Sequence, residues 1–365
     1  MQYYGLSAIL YYMKNDLLNR LSKAGAVEAD ILSTSRFFGN EEFYDTGYPL
    51  LNLALSGRMD GGLTNGLTMF AGPSKHFKSS YLCICMAAFQ RAKPDGFILF
   101  YDTEFGSKKS YFEAFGVNTD RVMHIPIANI EELKFDMMKR IKAISKEDDV
   151  MIAVDSFGNV PSKKEVVDAE TENEAADMTR AKQLKSLGRM ITPQLTLKGI
   201  PCVGVNHVYD TQEMYSKQIM SGGTGLMYSS DTVIFVGRSQ NKEGKELLGY
   251  NFNLTIAKSR YVKENSVFEI VVTYAGGVEK YSGIFKLILE NTDYIEQKGA
   301  WYIKLGDEKN VRRTDIEGDV DYMDGILSDP TFIAKIEKKY RLPNLAEQKE
   351  ISMDLEIDLD IPELV

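Results

Sequence analysis

The densest chemistry in the sequence lies at Gly72, Pro73, Ser74, Lys75, His76, Phe77, Lys78 and Ser79, which follow an apolar run (residues 67–71) and open a helical stretch (residues 80–92). The spacing is that of a phosphate loop, G-x-x-x-x-G-K-[ST], at every position except Phe77, where the pattern has glycine. Backbone amides of a tight turn at a helix N-terminus cradle phosphate oxygens, the Lys78 ammonium neutralises the outer phosphates, and the Ser79 hydroxyl ligates magnesium. A lysine–serine turn opening an ordinary helix is the alternative on the pattern alone. Asp155 closes a second apolar run (residues 150–154) and is placed to reach the same magnesium through a water. A third run (residues 97–101) ends in Asp102 and Glu104, whose carboxylates either polarise an attacking water or cap the next helix.

Such residues act together only if strand ends are brought to one edge. Between residues 48 and 285 the apolar runs 67–71, 97–101, 150–154, 201–206, 232–237, 253–257 and 268–272 alternate with helical stretches. That is the pattern of a mostly parallel sheet covered on both faces, an α/β core. Upstream, Leu17, Leu18 and Leu21 recur at helical spacing before Gly25, and residues 34–38 form an arm ending in Phe37 and Phe38. Downstream, a helix over 284–291, the segment 299–302 and a helix over 330–341 make a small α+β lobe.

Composition bounds the function class. The 365 residues are 44% apolar and 26% charged, as in a globular chain that buries a full core. Three cysteines, Cys83, Cys85 and Cys202, exclude a disulfide framework and point to a reducing compartment, and three scattered histidines give no His-based metal site. No run of eighteen apolar residues is present, so neither a membrane span nor a membrane partner is expected, and the expected location is cytoplasmic. The net charge of −9 argues against bulk attraction to polyanions, yet residues 346–365 hold −6 of it, which leaves a local polyanion-binding surface open.

With these elements in order, the chain resembles the RecA-type recombinases, in particular their T-even phage members. The likeness is carried by the loop at 72–79 with its phenylalanine, Phe100-Tyr-Asp-Thr-Glu104-Phe-Gly106, Asp155-Ser-Phe-Gly-Asn159, Asp177-Met-Thr-Arg-Ala-Lys182, Asn206-His207, Thr211-Gln-Glu-Met214, Gly222-Gly-Thr-Gly225 and Lys258-Ser-Arg260. It runs in family order from about residue 13 to residue 341. The resemblance implies a RecA-like ATPase core using ATP and Mg2+, with Glu104 and Lys78 catalytic and with Ser80, Tyr111, Asp155 and His207 joining the loop around the nucleotide. In that frame Tyr111 stacks on adenine, and His207 reports the γ-phosphate to a DNA-binding loop. Lys258 and Arg260 reach across a subunit interface to the neighbour's ATP, and Lys182 and Arg189 lie near DNA. By residue chemistry alone His207 is equally a buried, satisfied histidine, the Lys258–Arg260 pair a solvated strand edge, and Lys182, Lys185 and Arg189 a solvated helix face.

The family's DNA loops fall at about 158–177 and 208–225, and neither is basic by composition. The first sets Lys163 and Lys164 against six acids, and the second sets Lys217 against Asp210 and Glu213. The second loop offers instead the backbone amides around Gly222 and Gly223 and the side chains Tyr209, Met214, Tyr215, Ile219 and Met220, which can wedge between or beside bases. The resemblance implies a DNA-dependent ATPase of phage recombination, repair and recombination-dependent replication, working in the infected bacterial host. It forms helical filaments on single-stranded DNA and pairs that strand with homologous duplex, alongside a recombination mediator and a single-stranded DNA-binding protein. A hexameric helicase on the same core and a non-catalytic scaffold switched by ATP are the alternatives. The expected organisation is a helix and oligomerisation arm over 1–45, the ATPase core over 46–285, a lobe over 286–345 and a disordered acidic tail over 346–365. Residues 1–12 match nothing in the family, which makes Met13 the expected initiator.

Overall fold

Apolar strands with no polar face fold only where both of their faces are covered. The computed structural model describes residues 16–25, 42–171, 179–210 and 218–343. Its centre is a nine-stranded sheet of β1 (Gly66–Ala71), β2 (Phe97–Asp102), β3 (Val122–Pro126), β4 (Val150–Asp155), β5 (Pro201–Asn206), β6 (Thr232–Glu243), β7 (Glu246–Lys258), β8 (Val267–Thr273) and β9 (Gly277–Val278). The spatial order is β9-β8-β7-β6-β1-β5-β4-β2-β3. Every pair from β6 across to β3 is parallel, and the pairs from β6 out to β9 are antiparallel. The expected α/β class, with a mostly parallel sheet, is what the chain adopts.

Side chains alternate between the faces with period two. Phe70, Ile98, Phe100, Met151 and Ala153 join the apolar cluster that includes α1 (Lys78–Ala92). Their neighbours Met69, Leu99, Tyr101, Ile152 and Val154 join the other, beneath α2 (Ile130–Ala143) and α3 (Thr179–Lys198). These helices supply single stripes, Ile130, Leu133, Met137 and Ile141 on α2 and Leu184, Leu187, Ile191 and Leu195 on α3, spaced three and four apart.

Two departures have physical reasons. Strand β3 escapes the sequence pattern because, as an edge strand, it buries only Ile125. Strands β6 and β7 run past their apolar segments as a hairpin whose outer half is polar and held by its own ladder. The lobe contains the expected helices, Ile284–Asn291 and Pro330–Tyr340, and the hairpin Ile295–Lys298 with Trp301–Lys304. Its Ile284, Phe285, Phe332 and Ile336 belong to the same apolar cluster as Leu50 and Leu53, and Phe43–Val365 is one compact unit. In the other unit, Met1–Glu42, residues 16–24 are helical with Leu17, Leu18 and Leu21 exposed. Phe37, Phe38 and the acidic tail lie outside the described residues. Among the described residues no helix is long and apolar enough to cross a membrane.

Candidate active site

Register assembles the site. Ala71 pairs with Asn206 and Asp102 with Asp155, so the chain leaves β1, β2, β4 and β5 at one sheet edge. The loop after β1 enters α1, whose N-terminus has no side-chain cap and so presents amide donors and a positive dipole end. Gly72 allows close approach to β6, since a Cβ there would stand 2.8 Å from the Val236 carbonyl oxygen. Lys78 is buried and donates from Nζ to the Pro73 carbonyl at 2.7 Å, so its ammonium is held inside the turn. Burial lowers its pKa, against the pull of the Glu104 and Asp155 charges. Ser74 and Lys75 are exposed, and His76, half-buried, is bonded through Nδ1 to the Ser74 carbonyl.

Phe77 explains its own departure from the pattern. It occupies the left-handed region (φ 60°) that a glycine takes without cost, where a Cβ costs roughly 1–2 kcal/mol. Its ring stacks on Phe252 at 5.2 Å and meets Tyr81 at 5.3 Å and Phe115 at 6.2 Å edge-on. Aromatic pairs contribute about 0.5–1.5 kcal/mol each, enough to offset the backbone term. The loop keeps the glycine conformation and adds a side-chain anchor.

Asp155 is buried, and its Oδ1 has no hydrogen-bond partner among the described residues. Burial pushes its pKa up to about 6, with the Ser79 hydroxyl and Lys78 opposing and Glu104 and Asp102 adding to the rise. A buried, unpartnered carboxylate oxygen beside a serine hydroxyl is the oxygen donor set that magnesium takes. The raised pKa also fixes a stability signature. The folded state prefers protonated Asp155, so its contribution is fully present below the unfolded value near 4 and is lost as pH rises through about 6. Asp155→Asn is therefore expected to raise the thermal stability of the nucleotide-free protein at pH 7.5, on the order of 1–3 kcal/mol, with the gain vanishing near pH 4. Calorimetry across pH 4–8 checks this, and a gain that does not shrink at acid pH would rule it out.

Glu104 is held at several points. Its Oε1 accepts from the Ser156 hydroxyl at 2.7 Å and lies 2.9 Å from His207 Nε2. The His207 hydrogen bond is the main reason its pKa is lowered, against burial, so Glu104 is an ionised base at neutral pH. Thr103 donates its hydroxyl to the Ser156 carbonyl at 2.8 Å, and Asp102 Oδ1 accepts the amides of Glu104 and Phe105 at 3.1 and 2.8 Å. Asp102 thus caps the local turn and leaves Glu104 facing a cleft of about 660 Å³ lined by Ser79, Lys108, Tyr111 and Asp155. Ser156 and Thr103 lie within the family-like segments 155–159 and 100–106, yet a serine or threonine after a strand gives no chemical reason to single it out as a site residue. Tyr111 reaches the cleft with its hydroxyl 2.6 Å from Ser80 Oγ, which directs buried Ser80 to the tyrosine.

His207 leads into a two-stranded hairpin, Val208–Asp210 with Gln218–Met220. The Ser221 amide donates to the His207 carbonyl at 2.8 Å, and Asn206 Nδ2 donates to the Ser221 carbonyl at 3.2 Å. Arg180, on α3, donates to the Gly158 carbonyl at 2.9 Å and to the Ser221 hydroxyl, tying the bases of both expected DNA loops together. Lys182, Lys185 and Arg189 are exposed on α3 and Tyr209 is exposed on the hairpin. Met220 is buried, which corrects its reading as a base wedge: it alternates inward on a strand paired with Val208. Gly222 and Gly223 take positive φ, with Gly222 packed on Leu184, and the Gly223 amide already donates to the Met220 carbonyl at 3.3 Å. Met214, Tyr215 and Lys217 lie outside the described residues.

Lys258 and Arg260 stand at the other end of the sheet. Lys258 pairs with Val233 at the start of β6, and its Nζ donates to the Tyr228 and Ser230 carbonyls at 2.7 and 2.6 Å, capping the C-terminus of α4 (Thr224–Ser229). Arg260 pairs with buried Asp231 at 2.6 Å. Neither is brought to the phosphate loop of its own chain.

No protein-family model matches the chain. The "Recombination and repair protein" of Enterobacteria phage T4 is 44% identical over 291 residues, covering 80% of this chain and 74% of the relative. The chain belongs to the RecA-type recombinase family. More distant members include "Protein RecA" of Salinispora arenicola (strain CNS-205), 25% identical over 303 residues (80% of this chain, 81% of the relative). "Protein RecA" of Acholeplasma laidlawii (strain PG-8A) is 22% identical over 241 residues (65% of this chain, 70% of the relative). A RecA-type core is nucleotide-binding, and in this member the candidate residues Ser79, Glu104 and Asp155 meet at the cleft on the edge formed by β1, β2, β4 and β5.

Proposed function

We propose that the protein is an ATP-dependent strand-exchange enzyme of homologous recombination. Subunits assemble as a helical filament on single-stranded DNA, with ATP at the subunit interface, and pair the bound strand with homologous duplex. The observation that carries this reading is the Glu104–His207 contact, because it joins a carboxylate facing the nucleotide cleft to the residue that leads into the hairpin expected to touch DNA. In the reaction Lys78 and the α1 amides hold the outer phosphates while Glu104 orients a water and takes its proton. Ser79, and Asp155 through a water, would hold magnesium, which would supply charge neutralisation at those phosphates. A shift of Glu104 toward the γ-phosphate weakens its bond to His207, so the nucleotide state reaches the hairpin through a hydrogen bond.

On the DNA side, Lys182 and Arg189 supply charge, Tyr209, Met214 and Tyr215 supply stacking surface, and Lys217 with the turn at Gly222 and Gly223 supplies backbone contact. Phe37 and Phe38 serve assembly, and a mediator and a single-stranded DNA-binding protein act as partners. ATP turnover measured with and without single-stranded DNA, together with electron microscopy of the complex, tests the whole reading. Unstimulated turnover, or closed rings in place of helices, would sink it. In the Lys182→Ala, Arg189→Ala double variant the slope of log affinity against log salt should flatten by about 1.4, at roughly 0.7 per lost single-strand phosphate contact.

A further inference from the structure

Two residues of the phosphate loop other than glycine lie in the left-handed region, Lys75 (φ 63°) and Phe77 (φ 60°). Both are held by the hairpin of β6 and β7. Phe252 of β7 stacks on the Phe77 ring at 5.2 Å. Arg238 of β6 donates from its guanidinium to the Lys75 carbonyl at 3.0 Å. That guanidinium is itself laid over the Tyr250 ring at 4.6 Å. Tyr250 and Phe252 are two apart on one strand and share a face, and Arg238 is the cross-strand partner of Phe252. One cross-strand cluster thus reaches both left-handed residues, while the backbone of the same hairpin closes against Gly72 at Val236.

We propose that Arg238, oriented by Tyr250, is a positioning residue that sets the phosphate loop in its nucleotide-binding form, a task a glycine at position 77 would leave to the loop itself. The inference rests on the reading of this loop as the ATP site. An aromatic platform suits the role, because it fixes the planar guanidinium while leaving its edge to donate. Arg238 is exposed, so its replacement leaves the core intact.

The test measures binding of a non-hydrolysable ATP analogue by calorimetry, and KM and kcat for hydrolysis on single-stranded DNA. Arg238→Ala is expected to weaken analogue binding and raise KM about tenfold, equivalent to ~1.4 kcal/mol, with kcat within threefold of the parent. Lys75→Gly removes the Cβ conflict at the residue whose carbonyl Arg238 holds, so adding it to Arg238→Ala should recover most of the lost affinity, a non-additive result. Unchanged affinity in Arg238→Ala overturns the proposal, as do strictly additive effects or a collapse of kcat, which would indicate direct contact with the reacting phosphate. Failure of the parent protein to bind the analogue at all overturns the ATP-site reading and this inference with it. A parent that binds normally beside a normal Arg238→Ala overturns this inference alone.

Discussion

Lys78→Ala is expected to abolish ATP hydrolysis and to weaken nucleotide binding at least ~10²-fold, whereas Glu104→Gln keeps affinity within a few-fold and lowers turnover by about 10²–10⁴. The two effects separate because the residues meet the nucleotide differently. Lys78 is a buried cation inside the turn, so its loss removes charge from the ground-state complex and from the transition state alike. Glu104 is anchored by Ser156 and His207, and glutamine preserves its size while removing the base. Equilibrium binding and steady-state hydrolysis on single-stranded DNA check both. Normal turnover in either variant, or equal loss of binding in both, contradicts the assignment. Glu104→Gln also replaces the carboxylate oxygen that meets His207 Nε2 with an amide, so its DNA affinity should lose its dependence on nucleotide state.

The second large effect is expected at Lys258 and Arg260. If these act on the ATP of a neighbouring subunit, their alanine variants bind nucleotide as monomers yet lose about 10³-fold in DNA-stimulated hydrolysis, the scale seen for arginine fingers supplied in trans. Their positions at the opposite sheet end from their own loop rule out a contribution within one chain, and their contacts with the end of α4 and with Asp231 show where they rest in the isolated subunit. A mixing experiment isolates the trans term. Subunits carrying Lys258→Ala and Arg260→Ala have an intact loop, and subunits carrying Lys78→Ala have intact trans residues. Mixed on DNA, they should recover hydrolysis that neither shows alone. No recovery, with both variants folded and on DNA, assigns Lys258 and Arg260 to the α4 cap and the Asp231 pair.

The phosphate loop and the strand-end acids Asp102, Glu104 and Asp155 are readable because a strand-loop-helix unit has local rules, and spacing along the chain survives into space. Strand β3 was not readable, since an edge strand facing water lacks the apolar run that marks its neighbours. The outer half of the β6–β7 hairpin was invisible for a related reason: backbone ladders hold polar residues without leaving a hydrophobic signature. Met220 was misread because a three-residue strand shows no periodicity from which to choose its inward side.

By itself the sequence determined the α/β class, the family and the residue types of the candidate nucleotide site, since each follows from residue types at short, fixed separations. Only the tertiary structure decided how those residues work together. Ser156 and His207 meet on Glu104 although 51 positions separate them in the chain, Arg180 bridges Gly158 and Ser221, and Phe77 finds its pocket against Phe252. The reason is register. Parallel strands that are distant in sequence end at one edge only after the sheet has ordered them, and side-chain contacts made there depend on pairings that no local pattern encodes.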